Sequence, residues 1–86
     1  MLKINSDQAT QQILDLACLY PSLFIIKRGP SWEWGNQDSN TPGKITDSNI
    51  KDGLREKWVN IVWFNNHGNN YRISKPDFTI ELKKIK

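Results

Sequence analysis

Few side chains in this sequence could take part in covalent chemistry. His67 is the only histidine. It lies in Asn65-Asn66-His67-Gly68-Asn69-Asn70, a run of residues that tolerate left-handed backbone, so it reads as a turn residue and not as a base. Cys18 is the only cysteine, which excludes an intrachain disulfide, and it reads as a buried thiol on a helix. Asn36, Asp38 and Asn40 have the one-three-five spacing of a calcium loop. The match fails because Thr41 takes the position that needs glycine and Asp47 the position that needs glutamate. One cysteine and one histidine also make a structural zinc site untenable. There is no phosphate loop of the Walker type. No nucleophile, base and orienting group can be assembled from these residues. The expectation is a non-enzymatic protein with no cofactor and no metal.

What remains is recognition chemistry carried by aromatic and charged side chains. The chain has 86 residues, of which 37% are hydrophobic and four are tryptophan. That length allows one domain with a thin core. Each tryptophan can bury about 150–250 Å². Trp32, Trp34, Trp58 and Trp63 must therefore supply much of the core, much of a binding surface, or both. The formal net charge is +3, unevenly spread. Residues 1–43 hold three basic and four acidic residues, and residues 44–86 hold nine and five. A mild excess that ends in Lys83, Lys84 and Lys86 reads as a solubilising terminus, which makes nucleic-acid binding the less favoured reading. The longest apolar runs, Leu16 to Tyr20 and Leu23 to Ile26, are too short to cross a bilayer. No secretory signal is visible and no Asn-x-Ser/Thr site occurs, so an intracellular location, cytoplasmic or nuclear, is expected.

The elements that would position these groups follow from periodicity. Residues 6–20 predict a helix, with Asn5, Ser6 or Asp7 as N-cap and a weak Asn5–Gln8 capping box. Ala9, Ile13, Leu16, Ala17 and Tyr20 fall on one face, and Pro21 ends the helix. Leu23 to Ile26 predicts a strand. Residues 29–43 carry Gly29, Gly35 and Gly43 without periodicity and predict a structured loop or arm. Gly43 to Thr46 opens a second strand, and Asp47 to Gly53 reads as a turn. Lys57 to Asn65 is the strongest strand, with Val59, Ile61 and Trp63 facing the core. Residues 65–70 predict a long hairpin turn, Tyr71 to Ile73 the returning strand, and Phe78 to Ile85 a closing one. The fold class is mainly β. About five short antiparallel strands suggest a small barrel with an added N-terminal α-helix. The expected division is a helix at 1–21 and a barrel domain at 22–86.

Two segments carry a family resemblance. Arg28-Gly29-Pro30-Ser31-Trp32-Glu33-Trp34-Gly35-Asn36-Gln37-Asp38 resembles the opening motif of the Mind bomb/HERC domain, approximately R-G-x-D-W-x-W-G-D-Q-D. Trp58 to Trp63 and Asn69-Asn70-Tyr71-Arg72 resemble its V-x-V-x-W strand followed by N-x-Y-R, and Glu81-Leu82-Lys83 its closing D-L-K. The likeness covers about residues 22–83 in the expected order. Ser31 and Asn36 stand where the family has Asp, and Phe64 where an Asp follows the strand tryptophan. The resemblance implies an SH3-like β-barrel. It also implies a place in large eukaryotic ubiquitin ligases, where the domains of Mind bomb recognise short peptide segments of the substrate. No RING, HECT or ankyrin segment is present, so any ligase activity is expected of a partner or of none.

The loop residues then have two readings. In the structural one, Trp34 plugs the barrel, and Asp38 ties the loop through backbone N–H groups or through Arg28 or Arg72. Arg28, Gly29, Trp34, Gly35, Gln37, Asp38 and Trp63 make up this structural motif, and Arg72 can stack on Trp34. In the functional one, Trp32, Trp58 or Tyr71 stays exposed and, with Glu33 and Arg72, contacts a protein or peptide partner. A sharper form is an aromatic cage of Trp32, Trp58 and Tyr71 around a methylated lysine, with Glu33 or Asp38 as the acid. Trp34 and Trp63 are thus expected in the core, and Trp32 and Trp58 on the surface. Two further readings are a structural subunit docked through the helix, and a nucleic-acid binder using Arg55, Lys83, Lys84 and Lys86.

Overall fold

A computed structural model describes residues 3–83. In chain order it contains β1 (Lys3–Asn5), a 3₁₀ turn (Ser6–Gln8), α1 (Gln11–Leu19), a second 3₁₀ turn (Pro21–Leu23), β2 (Phe24–Arg28), β3 (Gly43–Asp52), β4 (Lys57–Trp63), β5 (Gly68–Arg72) and β6 (Phe78–Leu82). The six strands form one antiparallel sheet in the order β1-β6-β2-β3-β4-β5. The protein is mainly β, as its patterning predicts. The expected barrel of about five strands is instead an open sheet of six, with β1 and β5 at its edges. A strand the periodicity does not reveal accounts for part of the difference. Lys3–Asn5 pairs with Thr79–Glu81 and takes the side of β6 that a closing strand would need. Residues on both sides of the expected boundary at 21 and 22 thus share one sheet. The predicted strand end at Ile85 falls outside the described residues.

The helix is shorter than 6–20 and its face is rotated. Asn5 N–H does donate to Gln8 Oε1 at 3.1 Å, but this closes only a 3₁₀ turn. The chain then extends through Ala9 and Thr10, and Thr10 Oγ1 caps the true helix by accepting from Ile13 N–H at 3.3 Å. The interruption resets the helical phase. Leu14 and Ala17 are buried, whereas Leu16 and Tyr20 are about half exposed. Ser6, read as a cap, is fully buried. Its hydroxyl donates to Lys75 C=O at 2.8 Å and accepts from Phe78 N–H at 3.3 Å. Pro21 ends the helix as expected and opens the second 3₁₀ turn.

β4 follows its alternation closely. Val59, Ile61 and Trp63 are buried, with Ile26, Ile45, Tyr71, Phe78 and Ile80 around them. β3 runs on through Asp52, where a turn was expected at 47–53. Its pairing with β4 shifts register after Ile45 and again after Asp47. The carboxylate of Asp47 accepts from Asn49 N–H and from Lys51 Nζ at the irregularity, both at 3.0 Å. A bulged, solvated strand has no period-two signal, which is why its composition resembles a turn. α1 packs on β3 from the core side. Truncation of Leu14 to alanine is expected to cost about 2–5 kcal/mol. Leu19, 71% exposed, should cost less than about 0.5 kcal/mol on the same change. Urea denaturation of the two variants tests the assigned helix face.

Candidate functional site

The loop between β2 and β3 folds back over the core and is held by three side-chain linkages. At its base, Arg28 pairs with Asp38 through two parallel N–H···O bonds, with Nε to Oδ2 at 2.9 Å. Asp38 is buried and also accepts from Asn40 N–H at 3.0 Å. Burial opposes its charge, but these donors outweigh that effect and hold the carboxyl below its ordinary pKa. In the middle, Trp63 Nε1 donates to Tyr71 Oη at 2.9 Å, and Tyr71 Oη donates to Gln37 Oε1 at 2.7 Å. Burial raises the Tyr71 pKa, so the phenol remains a donor. The third linkage centres on Asp77, which is fully buried. Its Oδ2 accepts from Trp34 Nε1 at 3.1 Å, Arg72 N–H at 2.9 Å and Arg72 Nε at 2.8 Å, and its Oδ1 accepts from Arg72 Nη2 at 2.8 Å.

The rings interlock above these linkages. Trp32 stacks on Tyr71 with centroids 5.3 Å apart and meets the edge of Trp63 at 5.4 Å. Trp34 meets Tyr71 at 6.0 Å and Trp58 at 6.2 Å. Arg28 lies 5.3 Å from the Trp32 ring centre and Arg72 5.3 Å from that of Trp34. Two glycines of the motif have defined reasons. A Cβ on Gly29 would fall 2.4 Å from Pro76 O, and Gly35 has φ +59°.

The Asp38 partner left open between Arg28 and Arg72 is Arg28. Arg72 does lie over Trp34. Trp63 is buried, whereas Trp32, Trp34 and Trp58 are all half-buried. The exposure expected of Tyr71 is corrected, while Arg72 reaches solvent only along one edge of a cleft at Trp32. Tyr71 has no exposed surface, and the Arg72 side chain is only 9% exposed. Their strand alternation and their place on β5 turn Tyr71 to the core, while Asp77 draws Arg72 inward. Nor is there a cage of Trp32, Trp58 and Tyr71. Trp32 and Tyr71 stack directly, and the chain's own arginines lie over the Trp32 and Trp34 rings. What faces solvent is a cleft of about 250 Å³ lined by Pro30, Ser31, Trp32, Glu33, Arg72 and Lys75. Glu33 is 67% exposed at the side chain and pairs with Arg72 Nη2 at 2.7 Å. The hydrogen bond to Asp77 raises the Arg72 pKa, and burial opposes it less than Asp77 and Glu33 together support it.

His67 is exposed in the turn before β5, and Cys18 is a half-buried free thiol packed against the core. Asp38, the middle residue of the calcium-like spacing, is engaged by Arg28. Among the described residues no group of His, Cys, Asp or Glu could hold a metal ion, and no helix is long and apolar enough to cross a membrane. Asp77 was missed because Lys75-Pro76-Asp77 has the composition of a solvated turn, and nothing local marks one carboxylate as buried.

With this geometry in place, comparison with known proteins decides the family. The Mib_herc2 family model matches residues 24–83. The chain belongs to the Mib_herc2 family. The match contains the Trp-rich loop and β2 to β6, so all three linkages lie within the Mib_herc2 domain. The chain is also 27% identical over 74 residues to putative HERC2-like protein 3 of Homo sapiens, covering 83% of this chain and 6% of that relative. No solved structure matches.

Removing the Asp77 carboxylate as Asp77→Ala should cost about 3–5 kcal/mol, because Arg72 and the Trp34 N–H lose a buried acceptor. Glu33→Ala should cost less than about 1 kcal/mol, since that pair is solvated. Chemical denaturation separates the two. The lowered Asp38 pKa stabilises the fold above the ordinary carboxyl pKa of 3.8, and this contribution is lost as pH falls through the folded value. Wild type should therefore exceed Asp38→Asn in urea midpoint at pH 6, with the gap narrowing below about pH 4. A gap that is constant with pH would remove the charge from the account.

Proposed function

We propose that this Mib_herc2 domain is a non-catalytic protein-interaction module that docks a peptide segment of a partner on the exposed rim of its Trp-rich loop. The observation that carries this reading is the cleft at Trp32. There a half-buried indole and a solvated carboxylate, on a loop already held by internal bonds, stand beside Lys75 of the turn between β5 and β6. A rigid aromatic anchor with adjacent charges loses little entropy on binding. Trp32 and Glu33 are the contact residues in this reading. Tyr71 and Arg72 act beneath them as supports, and Trp58 lies at the margin of the aromatic group. The family resemblance supports a substrate-recognition role in association with ubiquitin ligases. The chain spans about 6% of the length of the relative it matches, so any ubiquitin transfer belongs to other segments or partners.

Quantitative pull-downs from a eukaryotic lysate with wild type, Trp32→Ala and Glu33→Ala test this. Captured partners should fall about tenfold in the Trp32 variant. Glu33→Ala, which leaves the fold intact, should weaken capture to a smaller extent. Equal capture by all three removes the rim as the contact.

A second reading has its own observation. Leu16 and Leu19 on α1 and Tyr20 just after it are 47%, 71% and 52% exposed. This uncovered apolar surface supports a subunit docked through its helix into an assembly. Loss of partners in Leu16→Ser/Leu19→Ser, with retention in Trp32→Ala, would favour it.

A further inference from the structure

A groove of about 640 Å³, larger than the cleft at Trp32, opens on the opposite side of the strands. Register places it there. Ile26, Ile45, Ile61 and Trp63 face the core, so the alternate residues Ile25, Lys27, Lys44 and Val62 face outward. The groove follows the seam between two halves of the sheet. β2 pairs with β6 over its whole length but meets β3 at one pair, Ile26 and Gly43. Phe24, Ile25, Val62 and Phe64 line the seam as an apolar surface. Phe64 is 80% exposed, although its backbone is fixed by a 2.9 Å bond from its N–H to Pro42 C=O.

The charge at the groove has one sign. Lys27, Lys44 and Lys83 line it, all three exposed, and no acidic residue does. Glu81, the register partner of Ile25, lies outside the lining. Among the described residues none of these three lysines forms an ion pair, whereas Lys51 and Lys57 do. Three ammonium groups around an apolar surface attract an anion that also brings apolar groups.

We propose that this groove docks an extended segment of a partner protein in which large apolar residues are interspersed with acidic ones. An extended chain turns successive side chains to opposite faces, so one face can present apolar groups to Phe24, Ile25, Val62 and Phe64. Acidic groups at its margins reach Lys27, Lys44 and Lys83. A single nucleic-acid strand fits this surface less well. Such strands use successive aromatic platforms and arginine, whereas the groove has aliphatic residues between its rings and no arginine in its lining. The site is separate from the Trp32 rim and does not depend on it.

The test is selection of random dodecapeptides displayed on phage against the wild-type chain. Selected peptides are then synthesised and measured by fluorescence anisotropy, beside a labelled oligothymidylate. The expected peptides are rich in Asp or Glu interleaved with Leu, Ile or Phe. Their affinity should fall at least about tenfold in Lys27→Glu/Lys44→Glu and remain unchanged in Trp32→Ala/Glu33→Ala. Lys27→Ala/Lys44→Ala, which adds no carboxylate, should show an intermediate loss with an unchanged thermal midpoint. Peptides that lack an acidic excess, or that bind both lysine variants as well as wild type, overturn the groove proposal. Peptides that depend on Trp32 and Glu33 overturn it while leaving the rim reading intact. Recovery of no peptide defeats both readings. Oligothymidylate binding that disappears in the lysine variants, without peptide binding, assigns the groove to nucleic acid and overturns the proposal.

Discussion

The buried carboxylate of Asp77 is the constraint on which the rest of the molecule depends. It accepts the indole N–H of Trp34, the backbone N–H of Arg72 and two guanidinium N–H groups. Through one side chain it joins the loop after β2, the end of β5 and the turn that enters β6. The same turn accepts Gly29 N–H at Asp77 C=O and Ser6 Oγ at Lys75 C=O. A charge in a low-dielectric site is tolerated only when its acceptor positions are filled. Once Asp77 is buried, Arg72 and Trp34 have little freedom, and the path of the loop follows from theirs.

The aromatic residues obey the same constraint. A thin core gains much from Trp63, Tyr71 and the inner faces of Trp32 and Trp34. Such rings bring polar atoms with them, and each needs a partner. Trp63 finds Tyr71, Tyr71 finds Gln37, Trp34 finds Asp77, and Trp32 finds Gly35 C=O. Among the described residues no buried side-chain polar atom lacks a partner. The Trp-rich loop therefore serves first as a lid on its own sheet. In the proposed function, recognition falls to the rim of that lid and to the outer face of the strands.

Much of this was legible in the chain. The alternation of Val59, Ile61 and Trp63 located β4, the strongest strand, and Pro21 located the end of the helix. The spacing of Arg28, Gly29, Trp34, Gly35, Gln37 and Asp38 marked a structured loop and a family. Other features were not legible, for identifiable reasons. Lys3–Asn5 is too short to show a period, and β3 is bulged and solvated. Thr10 competes with three other capping residues upstream, and the break before it takes Ala9 out of phase with α1, whose buried residues are Leu14 and Ala17. Asp77 has no local mark at all, because its role is defined by groups distant in sequence.

The sequence by itself determined the elements whose signal is local: the strand β4, a stop at Pro21, a glycine-bearing loop and its family motif. Only the tertiary structure decided how those parts share surface. It opened the expected barrel into a six-stranded sheet. It buried Tyr71 and most of Arg72, and it divided the tryptophans into one buried ring and three at the boundary with solvent. The physical reason is that periodicity reports which side of an element is apolar. Burial of a polar group depends on whether distant donors and acceptors arrive to satisfy it.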